Sequence, residues 1–399
     1  MLRNNYDVVV VGGGPSGLQT AGLLCEKGFS VALFDKEPSI GDNVVCSGVI
    51  SKEAFRRYDL PADSIVGRLK EAVLHSPSDN KIKYVHPDED VVVVNRKLFD
   101  SQLGIKASQK GAAIFNGSKV LLINSFDEFA EAKVRYSDRL ITVRAKLIVI
   151  ATGVSFNLQS SVGMGRPKSI LKGIQTEISS PDIKELNLFW GNKFSKGFFG
   201  WGIPLLNGNL KVGVMTKEDP FECLKYTLKK LGKENFIYSD ELELKRRGIS
   251  FGAIKKSYAN RVIAVGEAAG LVKTTTGGGI YYGLISAEIA SELILKAFTE
   301  NRFNEKFLSK YQKMINSCFS KEIKFGEFFH KFYSTLSDYQ INQLFDAAKE
   351  DRILDFISER GKFDWHKDTV VRIFKSPNLR NVLIKELLRR SAGNLALNI

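Results

Sequence analysis

Cysteine is scarce in this 399-residue chain: Cys25, Cys46, Cys223 and Cys318 are the four present, and they form no CxxC or metal-like spacing. A disulfide-stapled scaffold and a zinc ribbon are thereby excluded, no metal site is expected, and the thiols fit a reduced, cytoplasmic setting. Long apolar runs are missing too. No window reaches about 18 uninterrupted apolar residues, so a membrane-spanning helix is not expected. The apolar start is interrupted by Gly12, Gly13, Gly14 and Pro15 and has no small-residue cleavage pattern, so it does not read as a signal peptide. Internal repeats and low-complexity tracts are likewise absent, which leaves ordinary folded units, and the length allows two or three of them. Acidic residues are in deficit, 44 against 58 Lys and Arg, for a formal net charge of +14. An excess of that size fits an anionic partner (a phospholipid surface, an acidic redox protein, nucleic acid or a phosphorylated substrate) or a solvated basic surface.

What is present is organised from the first residues. Residues 6–11, YDVVVV, form a continuous apolar run of strand length, and residues 16–27 carry Leu18, Ala21, Leu24 and Cys25 at helical spacing before Gly28 closes the helix. A short second strand, residues 31–34, ends in Asp35, which completes a strand, helix, strand unit with a parallel sheet. The runs at 147–150 (LIVI) and 262–265 (VIAV) read as further interior strands of that sheet. Alternating apolar positions at about 170–215 predict a mostly antiparallel second sheet, and the pattern is helical from about Ile280 onward.

Between the first strand and helix stands Gly12-x-Gly14-x-x-Gly17, with Asp35 eighteen residues after Gly17. The first glycine makes a tight turn, the second admits a pyrophosphate to the backbone, and the third packs helix on strand. The helix start offers free N–H groups and positive potential to the phosphates. Asp35 can accept ribose hydroxyls, which prefers a cofactor without a 2′-phosphate. A turn serving packing alone would leave Asp35 unexplained. Ser16 and Lys36 flank these positions and join the candidate site.

Three later elements carry a resemblance: Asn95-Arg96 leading to Phe99-Asp100-x-x-Leu103, then Ala151-Thr152-Gly153, then Gly266-Glu267-Ala268-Ala269-Gly270. In this order they are similar to the flavoproteins that include aromatic hydroxylases and geranylgeranyl reductases. The resemblance implies FAD, with Arg96 along the cofactor, Val120 near the adenine, Thr152 and Gly153 in its loop, and Gly266 and Glu267 at the ribityl chain. Glu267 stands where the family usually has Asp. The Gly277-Gly278-Gly279-Ile280 run precedes a long helix whose start would stabilise charge on a reduced isoalloxazine.

Three further stretches resemble the geranylgeranyl reductase family in particular. They are Cys46-Ser47-Gly48, similar to its Cys-x-Gly loop past the flavin; Phe199-Gly200-Trp201-Gly202-Ile203-Pro204 followed by Gly213, similar to its Tyr-x-Trp-x-Phe-Pro stretch; and Thr276 to Tyr282. Phe199 replaces Tyr, Ile203 replaces Phe, and Lys211 takes the place of a glycine. Flavin halogenases carry a Trp-x-Trp-x-Ile-Pro stretch, so the cysteine loop separates the two families better.

The resulting expectation is an α/β chain with a Rossmann-type FAD-binding domain (1–165 and 255–300, with a strand insertion near 66–95), an antiparallel-sheet substrate domain (166–254) and a helical C-terminal region (301–399). The resemblance implies reduction of isolated C=C bonds in prenyl chains of a lipid or lipid precursor, with Phe199, Trp201, Pro204 and Tyr281 toward the substrate. An alkene has no carbonyl to take developing charge, so hydride transfer must be matched by a proton, and Cys46 is the candidate either as its donor or as a positioning group. Apolar stripes at Leu188, Phe189, Trp190, Phe194, Phe198, Phe199, Trp201 and Ile203 and at Phe325, Phe328, Phe329, Phe332 and Tyr333 could line a tunnel or serve as core. No second glycine fingerprint exists, so electrons come from transiently bound NADH, NADPH or an acidic redox protein such as reduced ferredoxin. Residues 380–390, RNVLIKELLRR, could lie on the inner face of a membrane or dock as an ordinary helix. No nucleic-acid partner is expected. The competing functions are a flavin monooxygenase or halogenase of a small aromatic, and a non-catalytic basic flavoprotein that binds membrane or RNA.

Overall fold

The computed structural model describes residues 2–85, 91–239 and 242–382. The chain divides into two compact units, the first from Met1–Ile65, Val94–Leu171 and Gly248–Ile323, the second from Val66–Val93, Lys172–Arg247 and Lys324–Ile399.

In the first unit the strands Tyr258–Ala259, Val262–Ala264, Arg139–Ile150, Asn5–Val11, Val31–Phe34 and Ala113–Phe115 lie side by side in that order. Asn5–Val11 pairs in parallel with both neighbours, and Val8, Val9 and Val10 have no exposed surface. That is why its sequence is apolar without alternation: both faces of the strand are covered. The strand expected at 147–150 begins earlier, at Arg139, because its first half pairs antiparallel with Ala130–Tyr136 and is covered on one side only. Alternate residues there face solvent, which hides the strand from a search for apolar runs.

The Pro15–Glu26 helix follows the first strand directly. Pro15 suits the first helical position because its missing N–H needs no partner there. Gly28 ends the turn beyond it at φ +85°, donating its N–H to the Cys25 carbonyl at 2.9 Å. Two other helix starts are capped by side chains: Asn95 accepts from the Leu98 N–H before Arg96–Gln109, and Ser51 accepts from the Ala54 N–H before Lys52–Arg57.

In the second unit a sheet runs through Ser169–Ser179, Asn209–Thr216, Phe199–Pro204, Leu186–Trp190, Glu71–His75 and Lys81–Val85. All pairings are antiparallel except that of Leu186–Trp190 with Glu71–His75. One face packs on the Pro220–Lys230 helix, where Ile174, Leu210, Val212 and Val214 meet Cys223, Leu224 and Leu228. Gly200 and Gly202 make that contact close, since a Cβ on them would meet Thr227 Oγ1 at 2.9 Å and Leu231 at 3.3 Å. By the period of two, Phe199 and Trp201 point to the opposite face, across from Trp190 and Leu188.

The helices Glu305–Tyr333, Asp338–Glu350, Ile353–Arg360 and Lys367–Lys375 bear out the helical reading as far as Lys375. Among the described residues no helix is long and apolar enough to cross a membrane. Of the amphipathic segment 380–390, only residues 380–382 are among those described, and the rest lies outside them.

Candidate active site

The three fingerprint glycines do three different jobs. Gly12 sits at φ +112°, and a Cβ on it would stand 2.4 Å from the Ala151 carbonyl oxygen, so the turn admits glycine alone. A Cβ on Gly17 would meet the Gly12 carbonyl oxygen at 2.0 Å, which is the helix packing down on the strand. Gly14 is different, because a Cβ there would meet nothing within 4 Å. It caps the Pro15–Glu26 helix without any side-chain hydrogen bond, so open space lies over amides that need an acceptor. A diphosphate fits that cradle.

Asp35 closes the loop from the far side. Its carboxylate accepts the Gly13 N–H at 2.6 Å and the Glu37 N–H at 2.8 Å. A carboxylate has about four acceptor positions, so ribose hydroxyls still find room. Lys36 is exposed and ion-paired with Glu37 at 2.9 Å. Val120 is buried in Lys119–Ser125 at an irregularity of the pairing with Ala130–Tyr136. Thr152 Oγ1 donates to the Ser155 carbonyl and accepts from Gln159, and Gly153 turns the chain at φ +61°.

The Cys46–Gly48 loop is built tightly. Gly48 has φ +80°, and a Cβ on it would lie 2.4 Å from the Val94 carbonyl oxygen, while the Val94 N–H donates to the Gly48 carbonyl at 2.9 Å. The Gly48 N–H in turn reaches Cys46 Sγ at 3.4 Å. The glycine of Cys-x-Gly therefore brings the loop onto Val94 and gives the sulfur a donor. Arg96 is a second donor to that sulfur, and it is itself clamped by Asp100 in a fork of 2.9 and 2.8 Å. Both side chains of the fork are nearly buried. Burial opposes the guanidinium charge, but Asp100 and Cys46 beside it outweigh that and raise its pKa. Ser47, between the two, has interactions within the structure.

At the other glycine region, Gly277 at φ +75° donates its N–H to the Lys273 carbonyl at 2.8 Å, and Lys273 donates its N–H to Gly278 at 2.9 Å. Gly279 then starts the Ile280–Thr299 helix without a side-chain cap. Gly266 and Gly283 approach Ser16 so closely that a Cβ on either would stand 2.3 Å from its hydroxyl oxygen. Ser16 thus serves the contact between the two helices. Glu267 accepts the Ser250 N–H at 3.1 Å, so the longer side chain is anchored to the Lys245–Phe251 strand.

Tyr281, the second residue of that helix, donates its hydroxyl to Glu53 at 2.8 Å. Burial first, and Glu53 next, push its pKa up to about 12, against the opposing pull of Arg57. Arg57 pairs with Glu288 at 2.8 Å, and Tyr58 donates to the same carboxylate oxygen at 2.7 Å. The sequence did not single out Glu53, Arg57, Tyr58 or Glu288. Tyr281 and Glu288 are seven apart on one helix face, a spacing visible in the sequence, but the Lys52–Arg57 partners carry no motif.

Phe199, Trp201 and Pro204 belong to the second unit, Tyr281 to the first. The Trp201 ring lies over Gly213, where a Cβ would stand 2.4 Å away, so Gly213 is required by that indole. Its Nε1 is buried with no hydrogen-bond partner among the described residues. The two apolar stripes divide. Phe189, Phe194, Phe198 and Ile203 are core, whereas Leu188, Trp190, Phe199 and Trp201 are half-buried. On the helix, Phe332 and Tyr333 pack in a cluster with Ile82, Leu336, Ile341 and Phe345, while Phe325 and Phe328 are exposed.

Residues 6–177 match the family model described as pyridine nucleotide-disulphide oxidoreductase. A digeranylgeranylglycerophospholipid reductase of Methanocaldococcus jannaschii is 27% identical over 88% of this chain and 92% of its own. The chain is similar to that reductase over most of its length. With the oxidoreductase model over its first part, it is a flavin-dependent oxidoreductase with FAD as cofactor. A geranylgeranyl bacteriochlorophyll reductase-like protein of Thermoplasma acidophilum superposes with a TM-score of 0.83 at 24% identity, covering 97% of this chain and 99% of that one. The myxobacterial chondrochloren halogenase shares the fold more distantly, at a TM-score of 0.68 and 15% identity over 96% of each chain.

Proposed function

We propose that the chain is an FAD-dependent reductase that saturates isolated C=C bonds of geranylgeranyl-type prenyl chains in a membrane lipid or lipid precursor. The observation that carries this is likeness over most of the chain to digeranylgeranylglycerophospholipid reductases, in a chain whose Cys46–Gly48 loop is built around the sulfur. When bound, FAD supplies a hydride and its two electrons. The residues of the chain do the rest. The amides above Gly14 and the Asp35 carboxylate hold the diphosphate and ribose; Arg96, Thr152, Gly153 and Glu267 lie along the cofactor; the uncapped start of Ile280–Thr299 favours negative charge on the reduced ring. Cys46 is read in its positioning role, fixed by Gly48 and Arg96.

Phe199, Trp201 and Pro204 are read as prenyl contacts. Moving a prenyl chain from lipid into an apolar site exchanges one apolar environment for another, so docking leans on charge. The net charge of +14 suits an anionic inner membrane face. The electron donor is NADH, NADPH or an acidic redox protein. In anaerobic single turnover, enzyme reduced by dithionite is expected to re-oxidise on addition of a geranylgeranyl glycerolipid, with a gain of two mass units per bond reduced. Flavin that stays reduced until oxygen is admitted would instead favour the monooxygenase or halogenase chemistry of the fold's other members.

A further inference from the structure

Reduction of an isolated alkene needs a proton at one carbon as hydride reaches the other, and the sulfur of Cys46 is turned the wrong way for that task. It receives the Gly48 N–H at 3.4 Å and a hydrogen bond from Arg96. A sulfur that receives both hydrogen bonds is held as an acceptor, in keeping with its positioning role. The proton therefore comes from another group.

A continuous set of side chains in the first unit meets the requirement. The Tyr281 hydroxyl bonds to Glu53 at 2.8 Å and also meets Arg57. Arg57 continues to Glu288 at 2.8 Å, where Tyr58 also donates. Tyr281 is 4% exposed and follows directly on the Gly277–Gly279 turn, whereas the Arg57 and Glu288 side chains are 45% and 35% exposed. The Tyr281 ring is thus buried beside the Gly277–Gly279 turn, while the carboxylate and guanidinium that meet its hydroxyl, of Glu53 and Arg57, open to water. Two helices could be joined by the Arg57–Glu288 pair alone. The extension through a buried phenol adds an acid that stays protonated near neutral pH.

Resting on the reading of the chain as a prenyl reductase, we propose that Tyr281 is the proton donor of the reduction, with Arg57 holding the phenolate and water at the exposed Glu53 carboxylate restoring the proton. One alkene carbon receives the hydride carried by the reduced cofactor, forming a C–H bond with both electrons. As the π bond opens, the second carbon takes the proton from the Tyr281 hydroxyl. The alkene gains two electrons, the flavin loses two, and the phenolate regains its proton from water. Glu53 is a positioning residue that orients the hydroxyl between turnovers.

The test uses dithionite-reduced holoenzyme mixed anaerobically with a geranylgeranyl glycerolipid in micelles, with re-oxidation followed by flavin absorbance in H2O and D2O. Tyr281→Phe is expected to bind FAD and accept electrons normally but to re-oxidise at least ~100-fold more slowly, the scale of a lost general acid. Wild type is expected to show a solvent isotope effect and to place two deuteriums in each bond reduced in D2O, one carried by the flavin, which takes it from solvent on reduction, and one from the acid. Arg57→Gln, at a partly exposed position, is expected to slow re-oxidation about tenfold and to enlarge the isotope effect, and it carries the test if Tyr281→Phe fails to fold. Wild type that turns over beside an unimpaired Tyr281→Phe, or beside an Arg57→Gln with unchanged rate and isotope effect, overturns this proposal alone. Wild type that no prenyl lipid re-oxidises overturns the reductase reading and this proposal with it.

Discussion

At single positions the cofactor grip separates space from strain. A methyl on Gly14 meets no protein atom, while one on Gly17 collides with the Gly12 carbonyl at 2.0 Å. Gly14→Ala is therefore expected to leave Tm within a degree or two and to weaken FAD binding at least ~10-fold, because the methyl stands where the diphosphate approaches. Gly17→Ala is expected to lower stability by about 1–3 kcal/mol, the usual result of forcing atoms into a packed site. Thermal melts of the apoprotein with FAD fluorescence titrations check both, and equal effects of the two changes on affinity and Tm would contradict the assignment. These roles were legible in the sequence because spacing alone specifies a strand, turn and helix around a phosphate. Arg57, Tyr58 and Glu288 were not. Their partnership joins residues some 230 positions apart, and no local pattern encodes such a meeting.

Among the elements, the strands with both faces covered were read well, since Val31–Phe34 and Val262–Ala264 are short apolar runs in sequence and in space. One-sided strands are only partly legible, as at Arg139–Ile150, because polar residues alternate through the first half. The aromatic stripe of the Glu305–Tyr333 helix mixed two environments that periodicity cannot separate: Phe332 is 8% exposed and Phe328 54%. Phe332→Ala is expected to destabilise the chain by about 3–5 kcal/mol through loss of burial and the cavity left behind. Phe328→Ser should change stability by under about 0.5 kcal/mol. Urea unfolding of the two variants compares them directly, and a larger loss at Phe328 would mean that this face is covered in solution.

For the molecule as a whole, the charge excess yields a prediction about surfaces. Each basic residue close to an anionic bilayer contributes about 1 kcal/mol, and salt shortens the reach of that attraction from about 10 Å at 0.1 M to about 3 Å at 1 M. Sedimentation with vesicles is expected to show binding to anionic lipid at 0.1 M NaCl, little binding at 1 M, and none to neutral lipid at either. Salt-independent binding would point to apolar insertion in place of charge.

The partition of the chain follows from interleaving. The second unit draws on Val66–Val93, Lys172–Arg247 and Lys324–Ile399, so its polypeptide leaves and re-enters the first unit's sequence more than once. No single cut releases either unit as an unbroken peptide. An exchange of substrate preference between relatives by recombination would need five coordinated crossings, one at each junction between the units, whereas point changes on the sheet face around Trp201 need none. Divergence of specificity on this scaffold is therefore expected to proceed by substitution in place, with the two units inherited together.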